Sequence, residues 1–142
     1  MYKELFWSKN MNLGLLFLDD DHKGFILLIN DLYKAYYQKD LVLASQILQR
    51  CLFHQKNHFS KEEMVMEQIQ FPDLISHKKS HQQFLENILE LIQSFEMAPK
   101  KEEKEKFLLQ TADYLKLWFL GHVLSRDRLY KPYLVRLYDC YK

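Results

Sequence analysis

Glycine and proline are so rare in this chain that they exclude most folds built from tight turns. Three glycines and three prolines occur in 142 residues, and the stretches between Gly24, Pro72 and Pro99 contain neither. A β-sheet protein or a disordered chain of this length normally carries more of both. The sequence therefore predicts an all-α protein with breaks close to Pro72, Pro99 and Pro132.

Between these breaks, apolar residues recur every three or four positions, which is the period of an amphipathic helix. The first apolar stripe includes Ile29 and Tyr33. Asp19, Asp40 and Asp73 precede the stripes and are predicted N-caps, because a carboxylate accepts hydrogen bonds from a helix's first N–H groups. The predicted helices cover about Asp20–Gln38, about Leu41–Gln68, from the Asp73 cap to near Met97, and about Lys101 towards Tyr130.

Four helices of about 20 residues, each about 30 Å long and joined by short loops, place neighbours antiparallel. We therefore expect an antiparallel up-down-up-down four-helix bundle with its core at about residues 19–131. An N-terminal extended arm precedes the bundle, and a short tail helix over Tyr133–Tyr141 follows it. Residues 1–142 are expected to form a single domain, since this length leaves little room for two.

The charge and the short apolar runs exclude several classes of function. Twenty Lys plus Arg against 19 Asp plus Glu give a net charge of +1, which predicts no nucleic-acid partner and no polybasic membrane contact. Runs such as Leu15–Leu18 are too short to span a bilayer, and no targeting segment is evident. Two cysteines are too few for a disulfide scaffold, so we expect a cytoplasmic protein with Cys51 as a small buried residue.

All six histidines fall on the inward stripes of predicted helices. A lone histidine there is most often a core residue, but six buried imidazoles each need partners for two ring nitrogens. A shared metal satisfies several of them together. The predicted ligands also lie at one level, because the starts of the first and third helices and the ends of the second and fourth meet at one end of the bundle.

Two carboxylates accompany these histidines. Glu62 follows a histidine by four residues on one helix face, and the next helix carries two histidines at the same spacing. Asp127 follows His122 by five, so both reach one centre only if the helix widens, as in a π-bulge; the alternative for Asp127 is a surface partner of a neighbouring arginine. The predicted metal ligands are His22, His58, Glu62, His77, His81, His122 and Asp127.

Seven such groups are too many for one tetrahedral zinc ion and suit two octahedral ions bridged by Glu62 and Asp127. No Glu stands three residues before any His, which disfavours the ferritin-like di-iron motif. A nitrogen-rich set favours reversible O2 binding over O–O cleavage. The donors alone do not identify the metal, because zinc, cobalt and manganese accept the same ligands, and a metal-free bundle stays an alternative.

The ordered pattern H…H-x-x-x-E…H-x-x-x-H…H-x-x-x-x-D resembles the hemerythrin family, in particular the bacterial hemerythrins. The resemblance spans about residues 7–135 and extends to flanking residues that include Leu18, Asp19, Ile29, Asn30, Phe59, Glu63, Met66, Phe71, Pro72, Phe84, Trp118 and Tyr130.

This resemblance implies two non-haem iron ions with an oxo or hydroxo bridge. It assigns to one iron His77, His81 and His122. It assigns to the other His22 and His58, which leaves a position open for O2. Glu62 and Asp127 would bridge the two.

Several residues near the predicted ligands lie outside the ligand set. Five apolar side chains are candidate walls of an O2 pocket, with ordinary core packing as the alternative for each: Phe25, Ile26, Phe59, Trp118 and Phe119. His54 lies outside the pattern, and we expect it to fill the core rather than to hydrogen-bond near a ligand. Ser125 is expected to bond the helix carbonyl one turn back.

The function predicted from this resemblance is reversible O2 binding by a carrier, store or delivery protein rather than an enzyme. One alternative is a sensor of iron, O2 or redox state. Another is a protein that handles peroxide or nitric oxide at the same site. We expect a monomer, with a homo-oligomer as the alternative.

Overall fold

A computed structural model describes residues 4–139, most of which are helical, and these residues contain no strand. The four long helices are α1 (Leu16–Tyr37), α2 (Leu41–Gln68), α3 (Leu74–Met97) and α4 (Lys101–Gly121). Helix α1 packs against α2 and α4, and α3 packs against the same two helices. The predicted antiparallel four-helix bundle is therefore confirmed.

The chain beyond α4 continues in the same direction through irregular helix. A π-helical turn over His122–Arg126 leads into the short helix α5 (Asp127–Tyr130), and a 3-10 turn over Lys131–Leu134 leads into α6 (Val135–Asp139). The predicted tail helix thus begins two residues later than expected, and its predicted end at Tyr141 lies outside the described residues, as does Cys140.

The first helix begins earlier than its sequence predicts, at Leu16. Asp19 is therefore not its N-cap but a buried residue of its first turn. The turn at Gly14, with a φ of +85°, brings the preceding chain back over the helix start. There Asp19 accepts hydrogen bonds from the N–H groups of Leu13 (2.9 Å) and Gly14 (3.1 Å).

The other two predicted caps are confirmed in position. Asp40 accepts a hydrogen bond from the N–H of Leu43 at 3.0 Å, which satisfies one of the first free donors of α2. Asp73 stands at the N-cap of α3, but its side chain makes no capping bond. Its carbonyl oxygen accepts the N–H of His77 instead.

The N-terminal arm lies along α1, where its backbone hydrogen-bonds to the side chain of Asn30. The amide of Asn30 both accepts from the N–H of Leu5 and donates to its carbonyl, each at 2.9 Å. Leu5 and Met11 from the arm join the main apolar core.

None of the helices in the described part of the chain is long and apolar enough to cross a membrane.

Two apolar clusters fill the bundle, and the polar site lies between them. The larger contains Phe25, Phe59, Phe84 and Phe119. The smaller closes the end where α2 finishes and α5 begins, and includes Phe71 and Tyr130. Cys51 is buried in the larger cluster, as predicted, and burial raises the pKa of its thiol to about 12.

Candidate metal centre

The seven predicted ligands converge at one level of the bundle, and all are buried. Helix α1 contributes His22 from its first turns, and α3 contributes its two histidines in the same way. Glu62 and His58 project from the second half of α2. The structure therefore brings together every residue of the predicted ligand set, on four different helices and their extensions.

The π-helical turn after α4 is what brings Asp127 into the site. The N–H of Asp127 bonds the carbonyl of His122, five residues earlier, instead of the residue four back. The extra residue in this turn places both side chains on one side of the helix. The predicted π-bulge is confirmed, and the alternative of a surface role for Asp127 is wrong, since its side chain is fully buried.

The imidazole nitrogens form two sets, and each carboxylate faces both. Glu62 directs Oε1 towards Nε2 of His77 (3.1 Å) and His81 (2.9 Å), and Oε2 towards Nε2 of His58 (3.3 Å). Asp127 directs Oδ1 towards Nε2 of His122 (2.9 Å) and His77 (3.1 Å). Its other oxygen, Oδ2, lies 3.3 Å from Nε2 of His22.

Two groups of potential ligand atoms result, with both carboxylates common to them. One holds three histidines, His77, His81 and His122, and the other holds two, His22 and His58. This division agrees with the one that the family resemblance implies. A carboxylate with one oxygen in each group is the arrangement needed to bridge two cations.

The spacing of the nitrogens inside the three-histidine group fits a shared metal ion. Nε2 of His122 lies 3.1 Å from Nε2 of His77 and 3.2 Å from Nε2 of His81. Ligands about 2.1 Å from one ion are about 3.0 Å apart at a right angle and about 3.4 Å apart at a tetrahedral angle. The observed edges are closer to those of an octahedral face.

Unpartnered atoms point to the same conclusion. Both carboxylate oxygens of Asp127 are buried and make no hydrogen bond of acceptable geometry within the described residues, although imidazole nitrogens surround them. Buried acceptors without partners are costly. Two cations between these groups would satisfy the oxygens and the nitrogens together, so the donor set fits a pair of metal ions.

Without metal, the site balances its buried charges internally. Burial raises the pKa of Glu62, but hydrogen bonds from three histidines outweigh it and hold that pKa well below its ordinary value. Burial lowers the pKa of His58 and of His77, but the neighbouring carboxylates raise both to about 9. Burial keeps the pKa of His122 below its ordinary value.

Metal affinity is expected to rise steeply with pH between 7 and 9. His58 and His77, with pKa values of about 9, carry protons at neutral pH that a metal must displace. His58 and His77 belong to different histidine groups, so each ion displaces one of these protons, and the apparent affinity for each ion is expected to grow up to about 10-fold per pH unit. Chelator-buffered Co²⁺ titrations across this range measure it. An affinity that is flat from pH 7 to 9 would show that both imidazoles are already neutral.

Outside the ligand set, polar side chains hold three of the imidazole rings by their Nδ1 atoms. Asp21 lies 3.0 Å from Nδ1 of His58, and Glu63 lies 2.8 Å from Nδ1 of His81. Ser80 lies 3.2 Å from Nδ1 of His122. These partners fix ring orientation and leave Nε2 free to face the site.

Sequence reasoning did not assign roles to these outer partners, although a signal was present. Asp21, Glu63 and Ser80 each stand next to a predicted ligand in the chain, and each contacts a ligand from another helix. Tyr130 was noted only as a flanking residue. Its buried hydroxyl donates to Oε2 of Glu62 at 2.9 Å and orients that carboxylate.

The prediction for His54 is wrong in its favoured form. The residue is only half-buried, and its Nε2 lies 2.8 Å from the carbonyl oxygen of Asp21, so it is a hydrogen-bond partner next to the site. It also stacks on Phe25. The prediction for Ser125 is confirmed, since its hydroxyl donates to the carbonyl of Gly121 one turn back.

Four of the five predicted pocket walls divide between the two histidine groups, and the fifth, Ile26, lies elsewhere. Phe59 stacks on His81 with ring centres 3.8 Å apart, and Trp118 stacks on His122 at 4.3 Å. Phe119 meets the ring of His22 edge-on at 5.8 Å and contacts Phe25. Ile26 is buried and borders the groove beneath the N-terminal arm. Contact with O2 stays a prediction for all five.

Comparison with known proteins agrees with this geometry. A family model described as the hemerythrin HHE cation binding domain matches residues 13–134, and the chain therefore belongs to the hemerythrin family. Within it, a bacteriohemerythrin of Aquifex aeolicus (strain VF5) is 34% identical over 64 residues, which are 45% of this chain and 49% of that protein. A bacteriohemerythrin of Pseudomonas aeruginosa (strain LESB58) is 29% identical over 63 residues, 44% and 41% of the two chains.

These matches span about half the length of the curated relatives or less. The fold has wider support. A crystal structure described as that of a leucine-to-phenylalanine mutant superposes with a TM-score of 0.80 over 92% of this chain and 96% of that chain, at 22% sequence identity.

Proposed function

We propose that this chain binds two iron ions, joined also by an oxo or hydroxo bridge, and that it binds O2 reversibly there. The observation that carries the proposal is the unequal division of nitrogens around two shared carboxylates. Three histidines and both carboxylates would hold one ion, and two histidines with the same carboxylates would hold the other. The second ion would have one protein ligand fewer and could accept a small ligand there.

The chain's own task in this proposal is to hold the ligands and keep water away. Two ferrous ions held by these residues would supply the reversible redox chemistry that O2 binding needs. Phe119 and Phe25 cover the two-histidine side with fully buried rings. A dry, apolar wall favours release of O2 over loss of its reduced forms to water.

Phe59 has a separate protective role on the other side of the site. A cleft of about 520 Å³ between α2 and α3 opens to solvent and reaches down to Phe59 and His81. Phe59 stacks flat on the His81 ring at the bottom of this cleft, with an angle of 8° between the planes. Its ring thus covers one face of the His81 imidazole on the side of the cleft. Binding of O2 without turnover is the activity that these features support, and the monomeric state stays a prediction.

A visible absorption spectrum through one oxygenation cycle tests the proposal. The protein is loaded with ferrous iron without air, exposed to O2, and then returned to vacuum, with zinc-loaded protein as the control. We expect a charge-transfer band that appears with O2 and disappears when O2 is removed. Irreversible oxidation would overturn reversible binding in favour of redox sensing or peroxide or nitric-oxide handling. Failure to take up iron would leave a zinc-holding or metal-free bundle.

A further inference from the structure

Asp21 is the point where three side chains of α2 meet the first turns of α1. Its carboxylate lies 3.0 Å from Nδ1 of His58 and 3.3 Å from Nζ of Lys61. Its carbonyl oxygen lies 2.8 Å from Nε2 of His54. Backbone and side chain of this one residue are therefore held from α2 on the solvent side of the two-histidine group.

The approach of the two helices here depends on a glycine. A β-carbon at Gly24 would lie 3.2 Å from Cε1 of His54, which is tighter than almost all real contacts of this kind. The missing side chain lets His54 lie against α1 and reach the Asp21 carbonyl. The position of Asp21 is thus held by local packing and by two hydrogen-bonding histidines.

The two histidine groups differ in their outer support. In the three-histidine group, His81 and His122 have partners at Nδ1, namely Glu63 and Ser80. In the two-histidine group, Nδ1 of His22 is buried without a hydrogen-bond partner in the described chain. Outer-sphere support for that group therefore rests on the Asp21–His58 contact.

The Asp21–His58 contact has the arrangement of a carboxylate that hydrogen-bonds to a metal-binding histidine. Nδ1–H of His58 donates to Asp21, which fixes the tautomer that presents the Nε2 lone pair to the site. The carboxylate makes that lone pair more basic. Lys61 has the opposite effect, since its half-exposed ammonium partly neutralises the same carboxylate.

We propose that Asp21 is a positioning residue for the metal ion of the two-histidine group. Lys61 weakens the effect of the Asp21 carboxylate on His58. Glu63 has the corresponding role for the three-histidine ion through His81. This inference rests on the proposed two-metal site but not on O2 binding. It predicts that the two ions can be weakened separately by changing residues that touch neither of them.

Competition of ferrous iron with a chromophoric chelator, without air, tests this on the full chain. In D21N one of the two bound equivalents is expected to weaken about 10-fold and the other to stay unchanged, because outer-sphere substitutions cost about 10- to 100-fold in affinity. The matched control is D20N, which removes the same charge from an exposed neighbour in the same helical turn and should leave both equivalents unchanged.

Two further variants separate positioning from loss of fold. K61Q removes an exposed cation and is expected to tighten the D21N-sensitive equivalent about twofold, the size of an exposed ion pair. General destabilisation would not produce effects of opposite sign in D21N and K61Q. D21N combined with E63Q should weaken both equivalents, each by its single-variant factor, because the two residues support different ions.

The outcomes distinguish this inference from the proposed function. If the wild-type chain binds two ions and D21N matches D20N at both, the role of Asp21 is overturned and the two-metal site stands. Equal weakening of both equivalents in D21N would also overturn it, since the effect would not be specific to one ion. If the wild-type chain binds fewer than two ions, the proposed site and this inference fail together.

Discussion

Glu62→Gln is expected to lower bound metal from two ions per chain to one or none. Glu62 is fully buried, and its two oxygens face different histidine groups. The amide that replaces it has one oxygen, no charge and nearly the same volume. The fold should therefore survive while a shared ligand of both ions is lost. Metal content per folded chain, measured after loading and desalting, is the readout.

Glu67→Gln is the matched control for this result. Glu67 lies on the same helix, five residues later, and is exposed to solvent. The Glu67→Gln variant should retain full metal content, which separates the bridging role of Glu62 from a general change in charge. Two ions per chain in the Glu62→Gln variant would remove Glu62 from the ligand set.

Removal of metal is expected to lower the melting temperature by about 15 to 25 °C. A ligand that binds only the native state at about 1,000 times its Kd contributes about 4 kcal/mol, and two such ions contribute about twice that. For a domain of this size, each kcal/mol moves the melting temperature by about 3 °C. Thermal unfolding followed by circular dichroism, with and without chelator, measures the difference.

The metal-free protein should nevertheless fold. When no metal is bound, the buried carboxylates Glu62 and Asp127 are paired with imidazoles, two of which have pKa values of about 9. The Glu62→Gln variant supplies an internal control, because chelator should change its melting temperature far less. Equal melting temperatures for the loaded and metal-free wild type would show that metal adds nothing to stability.

Helical periodicity was sufficient to predict the bundle because each helix buries one continuous stripe. The bounds of α2 were predicted to the residue, since Asp40 and the chain break before Pro72 are local signals. The start of α1 was missed by four residues, because Asp19 is also a suitable cap by type. Only the turn at Gly14 shows that its carboxylate binds the preceding chain.

The ligand set was predictable for a similar reason. Residues four apart share a helix face, and antiparallel order then brings the ends of four helices to one level. Even the widening between His122 and Asp127 followed from a spacing of five. Sequence spacing thus determined the fold, the level of the site and the residues that meet there.

The tertiary structure alone decided which atoms of those residues face one another and which side chains support them. Which oxygen of Glu62 faces which histidine depends on side-chain rotamers, and so does the stacking of Phe59 on His81. The Asp21–His58 bond joins two helices, 37 positions apart in the chain. Such contacts depend on the distance and rotation between helices, which packing sets and which no periodicity within one helix encodes.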